Sequence, residues 1–199
     1  MRRSQPGLVL VALLFTLTAI AGPAMAHSQG GVVGGFLSGM SHPISGWDHV
    51  IAMVAVGLWG AFLGAPAIWL LPVVFPMVMA AGGALGILGM PIPSAEVGIA
   101  LSAIVLGLCV ALALRPPLWI AAMIVGAFAI FHGHAHGTEL PSAANPYAFA
   151  AGFVVATGLL HIAGVALGLL AGWQRGELAV RGGGGLIALA GLAFLARLA

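Results

Sequence analysis

The segment AIWLLPVVFPMVMAAGGALGILG, residues 67–89, contains no charged side chain. A helix needs about 20 mostly apolar residues to cross roughly 30 Å of hydrocarbon. Because the segment meets both the length and the composition, it predicts a helix that spans a membrane.

The whole chain has the same apolar character. Hydrophobic residues make up 62% of it and charged residues 5%, whereas a soluble domain has about 25% charged residues. The six basic residues are all arginine and do not cluster with aromatic side chains, so nucleic acid is not expected as a partner. Cys109 is the only cysteine, which excludes an internal disulfide. The composition predicts an integral membrane protein.

The N-terminus has the pattern of an export signal. Arg2 and Arg3 precede the apolar stretch LVLVALLFTLTAIAG (8–22), and Ala24 and Ala26 supply small residues in an A-x-A arrangement. We predict a signal peptide over 1–26, cleaved after Ala26, and a single transmembrane domain over 27–199. The alternative is an uncleaved first membrane helix.

Five further apolar segments resemble residues 67–89 in length and composition. The predicted fold is therefore an all-α, polytopic membrane helix bundle with about six transmembrane helices after the signal peptide. Their approximate limits are 44–64, 67–89, 95–114, 117–136, 145–172 and 183–198. The glycine-rich segment GGVVGGFLSGM (30–40) is too short to span and is predicted to be a surface or re-entrant lead-in.

The charges in the loops predict the orientation of these spans. If the mature N-terminus lies outside, the loops with Arg115, Arg175 and Arg181 face the cytoplasm, and those with Glu96 and Glu139 face the opposite side. Arg197 falls on the outer side as an exception, and the other charges follow the positive-inside rule. We expect a multi-pass protein of the bacterial inner membrane with a periplasmic mature N-terminus.

The segment HPISGWDHVIAM, residues 42–53, places two histidines and an acid at the mouth of the first span. Pro43 suits the first turn of a helix, so we expect a helix that begins at or just after His42. His42 and His49 would then share a face but lie about 10 Å apart along the axis. A single ion would touch both only if the first turn were distorted. Two successive stops for one ion are the alternative.

A second polar motif, FHGHAHGTE (131–139), ends the fourth span. His132 and His136 lie one helical turn apart on one face, Glu139 continues that face, and His134 points elsewhere. In the orientation above, this motif ends on the same side of the membrane as His42. The topology therefore predicts that the two motifs converge at one mouth of the bundle.

The chemistry of these side chains favours a cation. An ionised carboxylate at mid-bilayer costs about 3 to more than 10 kcal/mol, and no span interior offers Asp48 an arginine partner. Histidine nitrogen combined with carboxylate oxygen suits nickel, cobalt, zinc or copper better than magnesium or calcium. The predicted metal ligands are His42, Asp48, His49, His132, His136 and Glu139.

Three further histidines are secondary candidates. His27 would become the N-terminal residue after cleavage, where its amine and ring would chelate a metal together, or it would belong to a disordered end. His134 sits inside the second motif. His161, within LLHIAG of the fifth span, is either a lower stop on a metal path or a hydrogen-bonded core histidine.

The two motifs resemble the signature of the HupE/UreJ family, nickel permeases associated with hydrogenase and urease maturation. The matching patterns are H-x5-D-H over 42–49 and F-H-G-x-A-H-G-x-E over 131–139. The resemblance extends to the exported start and the six spans, and a histidine after the signal also fits. It implies that the six predicted ligands carry transport, with His134 at a variable position. It implies nickel or cobalt without choosing between them.

We therefore predict a secondary, ATP-independent transporter that imports a divalent transition-metal cation, nickel first and cobalt second. The sequence has no G-x-x-x-x-G-K-[ST] loop, no H-E-x-x-H and no G-x-S-x-G, so an enzyme is not expected. No tightly bound cofactor is expected. The predicted partners are the metal ion and membrane lipid, with a homo-oligomer and intracellular nickel-enzyme maturation proteins as further candidates. A histidine-ligated haem redox protein and a non-transporting metal-binding accessory subunit are the alternatives.

Overall fold

The computed structural model describes residues 32–139, 145–173 and 175–199. Within these ranges every regular element is helical and there is no β-strand. The predicted all-α fold is confirmed. The predicted signal peptide (1–26) and His27 lie outside the described residues.

Seven α-helices follow one another in the described ranges. They are α1 (Val32–Ser45), α2 (Trp47–Leu63), α3 (Ala67–Ile87), α4 (Ala95–Ala111), α5 (Leu118–Thr138), α6 (Pro146–Gly168) and α7 (Gly176–Ala196). A 3-10 turn, Leu169–Gly172, extends α6. Proline or glycine stands in the connections, as at Pro66, Gly89 and Pro117, because neither residue continues a helix well.

Four of the helices are long and apolar enough to cross a membrane: α3, α5, α6 with its 3-10 extension, and α7. Helices α1 and α2 pass the same test only together, as a pair bent by 83°. Helix α4 is apolar but shorter, at 17 residues. The multi-pass architecture is therefore confirmed, while the count of six spans stays a prediction.

The first span does not begin where the sequence predicted. His42 and Pro43 lie in the last turn of α1, which ends at Ser45, and α2 starts only at Trp47. The Ser45 hydroxyl donates to the His42 carbonyl oxygen at 2.7 Å, and Gly46 is extended, with φ −104° and ψ 114°. Residues 32–40 of the predicted lead-in (30–40) thus belong to a helix of their own, and Gly46 forms the corner.

Helix α7 also begins earlier than predicted, at Gly176 rather than at 183. The glycines of 182–185 do not interrupt this helix, and Gly184 packs directly against the backbone of α4 near Gly107. Arg181 anchors the same turn, because its Nε donates to the Ala111 carbonyl oxygen at 3.0 Å. Small residues allow this close helix contact in a membrane protein.

Helices α2 and α6 pack through glycines that the sequence marks by their spacing. A Cβ added at Gly57 would overlap the backbone of α6, and one at Gly164 or Gly168 would overlap the backbone of α2. Gly64 and Gly172 continue the same spacing but do not take part in this contact, because a Cβ added at either would meet nothing within 4 Å. The contact fixes the depth of α6 relative to α2.

The core lies between α2, α3 and α5, where Met53, Trp59, Leu71 and Phe75 are fully buried. By contrast, Trp69, Val73 and Met77 on α3 point outward and are more than half exposed. A helix that is apolar on its inner and outer faces alike is typical of a membrane span. The enclosed space next to Phe75 holds the polar side chains described next.

Candidate metal site

Helix α5 alternates glycine and histidine near its end, so that the glycines contact α3 and the histidines point into the bundle. Gly133 and Gly137 press against the backbone of α3 near Met79 and Gly83. His132 and His136 lie one residue before each glycine, so both rings turn into the bundle and are 0% and 8% exposed. The close approach of α3 is what buries them.

The corner at Gly46 brings the first motif over this pair. The His42 ring centroid lies 4.9 Å from that of His136, edge to face. The His49 ring centroid lies 4.4 Å from the same His136 ring. The predicted separation of His42 and His49 along one straight helix was wrong, because the two histidines belong to different helices and flank one common ring.

An outer group of three ligands sits at the mouth. One ligand atom each from His42, His136 and Glu139 lies within 4.8 Å of the others. His42 Nε2 is 3.4 Å from Glu139 Oε2. Glu139 is exposed, His42 is half-buried and His136 is buried, so the group leads from the surface into the interior.

A deeper group follows, made of the rings of His49, His132 and His136. The centroids of His49 and His132 are 4.9 Å apart, with the ring planes nearly perpendicular. His136 touches both groups, because it neighbours His42 on one side and His49 on the other. The two motifs therefore form one continuous cluster.

Asp48 orients His49. Asp48 Oδ1 accepts from His49 Nδ1–H at 2.9 Å and from the His49 backbone N–H at 2.9 Å. With its proton on Nδ1, a neutral His49 keeps a lone pair on Nε2, which is buried and has no hydrogen-bond partner among the described residues. Metal-binding histidines usually donate their other ring N–H to a carboxylate or carbonyl oxygen, which fixes the orientation of the ring.

Ser102 on α4 does the same for His132. Its hydroxyl donates to the Ile99 carbonyl oxygen at 2.6 Å, so its oxygen accepts from His132 Nε2–H at 3.0 Å. The lone pair of a neutral His132 is then on Nδ1, which is buried and unpartnered within the described ranges. The sequence analysis missed Ser102, since a lone serine in an apolar span carries no local signal.

His136 has both ring nitrogens buried without a hydrogen-bond partner in the described structure. Its ring packs edge to face on Phe153, with the centroids 4.5 Å apart. Leaving buried polar atoms unpaired is unfavourable. His49, His132 and His136 thus each have a ring nitrogen lone pair that is free of hydrogen bonds among the described residues, and the three nitrogens can serve together as metal ligands.

A small pocket of about 160 Å³ borders this cluster on the α4 side. Asp48 lines it together with Glu96 from the first turn of α4 and Arg197 from the end of α7. Asp48 nevertheless forms no ion pair with arginine among the described residues, and its partner is the ring N–H of His49. The pocket places a second carboxylate, Glu96, near Asp48, a proximity that loop charges alone did not predict.

The secondary candidates lie elsewhere. His134 Nε2–H donates to the Met90 carbonyl oxygen at 2.8 Å, which ties α5 to the connection between α3 and α4. His161 lies deeper on α6, 2% exposed, and its ring does not belong to the outer group. Their roles as ligands stay predictions, like those of the six principal residues.

These helices and the enclosed polar cluster define the class of the chain: a multi-pass membrane protein with a group of histidines and carboxylates buried at one end of its bundle. Comparison with known proteins narrows the class. The family model described as HupE / UreJ protein matches residues 14–194, and the chain belongs to this family. The resemblance inferred from the two motifs is confirmed.

Among curated relatives, Protein HupE of Rhizobium leguminosarum bv. viciae is 47% identical over 181 residues. The alignment covers 90% of this chain and 95% of the relative. No solved structure matches the chain.

Proposed function

We propose that this protein is a secondary, ATP-independent transporter that imports a divalent transition-metal ion, nickel first and cobalt second. The observation that carries the proposal is the continuous cluster from Glu139 at the surface to His132 in the interior. His49, His132 and His136 have buried ring nitrogens without a hydrogen-bond partner among the described residues. Imidazole and carboxylate ligands together suit nickel and cobalt.

The geometry supports a transfer in two steps. The outer group of His42, His136 and Glu139 would capture the ion at the mouth. His136 is shared with the deeper group, so the ion would move to His49 and His132 while one ligand stays attached. Shared ligands lower the barrier because the ion never sheds all its partners at once.

Asp48 and Ser102 would determine which ring nitrogen of His49 and of His132 carries the proton. Each accepts the ring N–H of one histidine and leaves the other nitrogen deprotonated, which metal binding requires. The carboxylates of Asp48 and Glu139 would offset the charge of the cation, and Glu96 adds a further carboxylate near Asp48. Energy would come from the ion gradient, the membrane potential or an intracellular metal sink.

Orientation and partners complete the proposal. We place the cluster on the periplasmic side of a bacterial inner membrane, as the arginine distribution suggests, with the metal captured outside. The family resemblance suggests intracellular nickel-enzyme maturation proteins, those of hydrogenase or urease, as recipients. A haem between His49 and His132 is disfavoured, because the two rings touch edge to face at 4.9 Å and leave no room for a macrocycle.

Uptake of radioactive nickel into sealed vesicles tests the proposal. We expect Asp48→Asn and His49→Ala each to lower uptake at least about tenfold. Asp48→Asn weakens the hydrogen bond that orients His49, and His49→Ala removes the ligand itself. Glu177→Gln is the matched control, because this carboxylate pairs with Arg181 on α7, outside the cluster. Equal uptake by parent and Asp48→Asn at equal membrane abundance would refute the transport role. Metal binding in detergent without flux would instead indicate the accessory-subunit alternative.

A further inference from the structure

A second group of buried polar side chains lies on α6, apart from the cluster described above. Thr157 and His161 are one helical turn apart and therefore share a face of α6. They are 0% and 2% exposed. Thr157 Oγ1 and both ring nitrogens of His161 are buried without a hydrogen-bond partner among the described residues.

Phe75 contacts both this pair and the cluster. Its ring centroid is 5.4 Å from that of His132 and 5.4 Å from that of His161, edge to face in both cases. Phe75 is itself fully buried on α3. The Phe75 ring therefore contacts one histidine of the cluster and the histidine of the α6 pair, and it links the two groups.

A purely structural role does not explain His161. By comparison, His134 donates its Nε2–H to a backbone carbonyl oxygen, as buried polar groups normally do. His161 lies near the Pro72 carbonyl of α3 without a hydrogen bond of normal geometry, and Thr157 Oγ1 has no partner among the described residues. An apolar pair would fill the same space without leaving polar atoms unpaired. Their backbone is fixed in place, because Gly57 of α2 packs against the His161 carbonyl.

On the basis of the transport function proposed above, we propose that Thr157 and His161 form an inner binding station for the transported divalent metal ion, linked to the outer cluster by the Phe75 ring. The station offers imidazole nitrogen and a hydroxyl oxygen but no carboxylate. It therefore binds the ion more weakly than the cluster around His136. Conduction requires sites weak enough to leave, so the weaker station lies on the exit side of the path.

The station is tested by titrating the purified full-length protein with nickel in detergent. A second titration with cobalt, followed by the absorption of the bound cobalt ion, gives an independent measurement. The parent should show a tighter and a weaker class of site. His161→Leu should remove the weaker class only, and His136→Ala should remove the tighter class only. In sealed vesicles, His161→Leu should lower uptake at least tenfold while outer binding is unchanged.

Thr157→Val and Gly158→Ala complete the test. Thr157→Val keeps the side-chain shape and should weaken the inner class severalfold. Gly158→Ala alters the adjacent residue of α6, where an added Cβ meets nothing within 4 Å, and should leave both classes intact. If His161→Leu accumulates poorly in the membrane, Thr157→Val decides the question by itself.

The outcomes separate the two proposals. If the weaker class persists in both His161→Leu and Thr157→Val, or is absent from the parent, the inner station is overturned, including the case in which these groups bind only water. If the parent binds two classes of metal but moves none into vesicles, the transport function falls while the station stands.

Discussion

Replacing Gly46 by alanine would test whether the corner between α1 and α2 organises the cluster. Gly46 has φ −104° and ψ 114°, which alanine adopts without strain. The new Cβ would lie 2.8 Å from Asp48 Oδ1 and 3.1 Å from His49 Nδ1. It would therefore push apart the 2.9 Å hydrogen bond that orients His49, without a demand on the backbone.

The expected magnitude follows from that bond. A hydrogen bond to a charged group contributes about 1.5–3 kcal/mol to stability. Loss of the group that orients a metal-binding histidine lowers the metal affinity about 10–100-fold. The free energy of unfolding should fall by about 1–2 kcal/mol, because the lost hydrogen bond outweighs the about 0.4–1 kcal/mol that alanine contributes in place of glycine. Gly46→Ala should thus lose about 10–100-fold in nickel affinity and show a slightly lower thermal midpoint.

Nickel titration of the purified protein and thermal unfolding in the same detergent measure both quantities. Gly182→Ala is the control, since an added Cβ there meets nothing within 4 Å and should change neither. An affinity of Gly46→Ala within twofold of the parent would show that the Asp48–His49 pair does not prepare the site. A similar loss in Gly182→Ala would point to a general effect of added methyl groups.

Three further predictions concern the ligands and the packing. Metal uptake should decline as the external pH is lowered from about 7 to about 4, because protons compete with the metal for histidine nitrogen; flat uptake down to about pH 4 would argue against imidazole ligands. Ser102→Ala should lower nickel affinity about tenfold, because His132 loses the partner that holds its proton on Nε2, and an unchanged titration would remove Ser102 from the site. Gly164→Ala should destabilise the protein by about 1–3 kcal/mol through overlap with the backbone of α2, seen as a lower thermal midpoint, whereas Gly158→Ala should not; equal midpoints for the two would contradict the close contact.

Much of the architecture could be predicted from local patterns. The apolar runs and the proline and glycine punctuation placed α3 and α5 to within two residues at each end. The four-residue spacing of His132 and His136 correctly predicted that both rings face one way and that His134 faces another. These features depend only on helix periodicity, which the sequence carries in full.

The break at Gly46 could not be predicted in the same way. Pro43 is compatible with the first turn of one helix and, as observed, with the last turn of another. The choice depends on a distant contact, since Gly39 of α1 packs against the backbone of Phe149 on α6, and Gly152 of α6 against Phe36. Residues that meet only after folding leave no periodic trace in a single sequence.

Ser102 and Phe75 were overlooked for a related reason. Each lies in an apolar helix where a serine or a phenylalanine is unremarkable, and each acquires meaning only from a histidine on another helix. A sequence motif identifies residues that match a known spacing. It does not identify a single residue, such as Ser102 or Phe75, that contacts a motif histidine from another helix.

The interleaving of glycine and histidine on α5 ties the distance between two helices to the position of the ligands. A methyl group added at Gly133 would displace α5 from α3 and carry the imidazoles of His132 and His136 with it. Preference among ions of slightly different radius could therefore drift through substitutions at residues that never touch the ion. Such a protein could change its metal during evolution while every ligand stays the same.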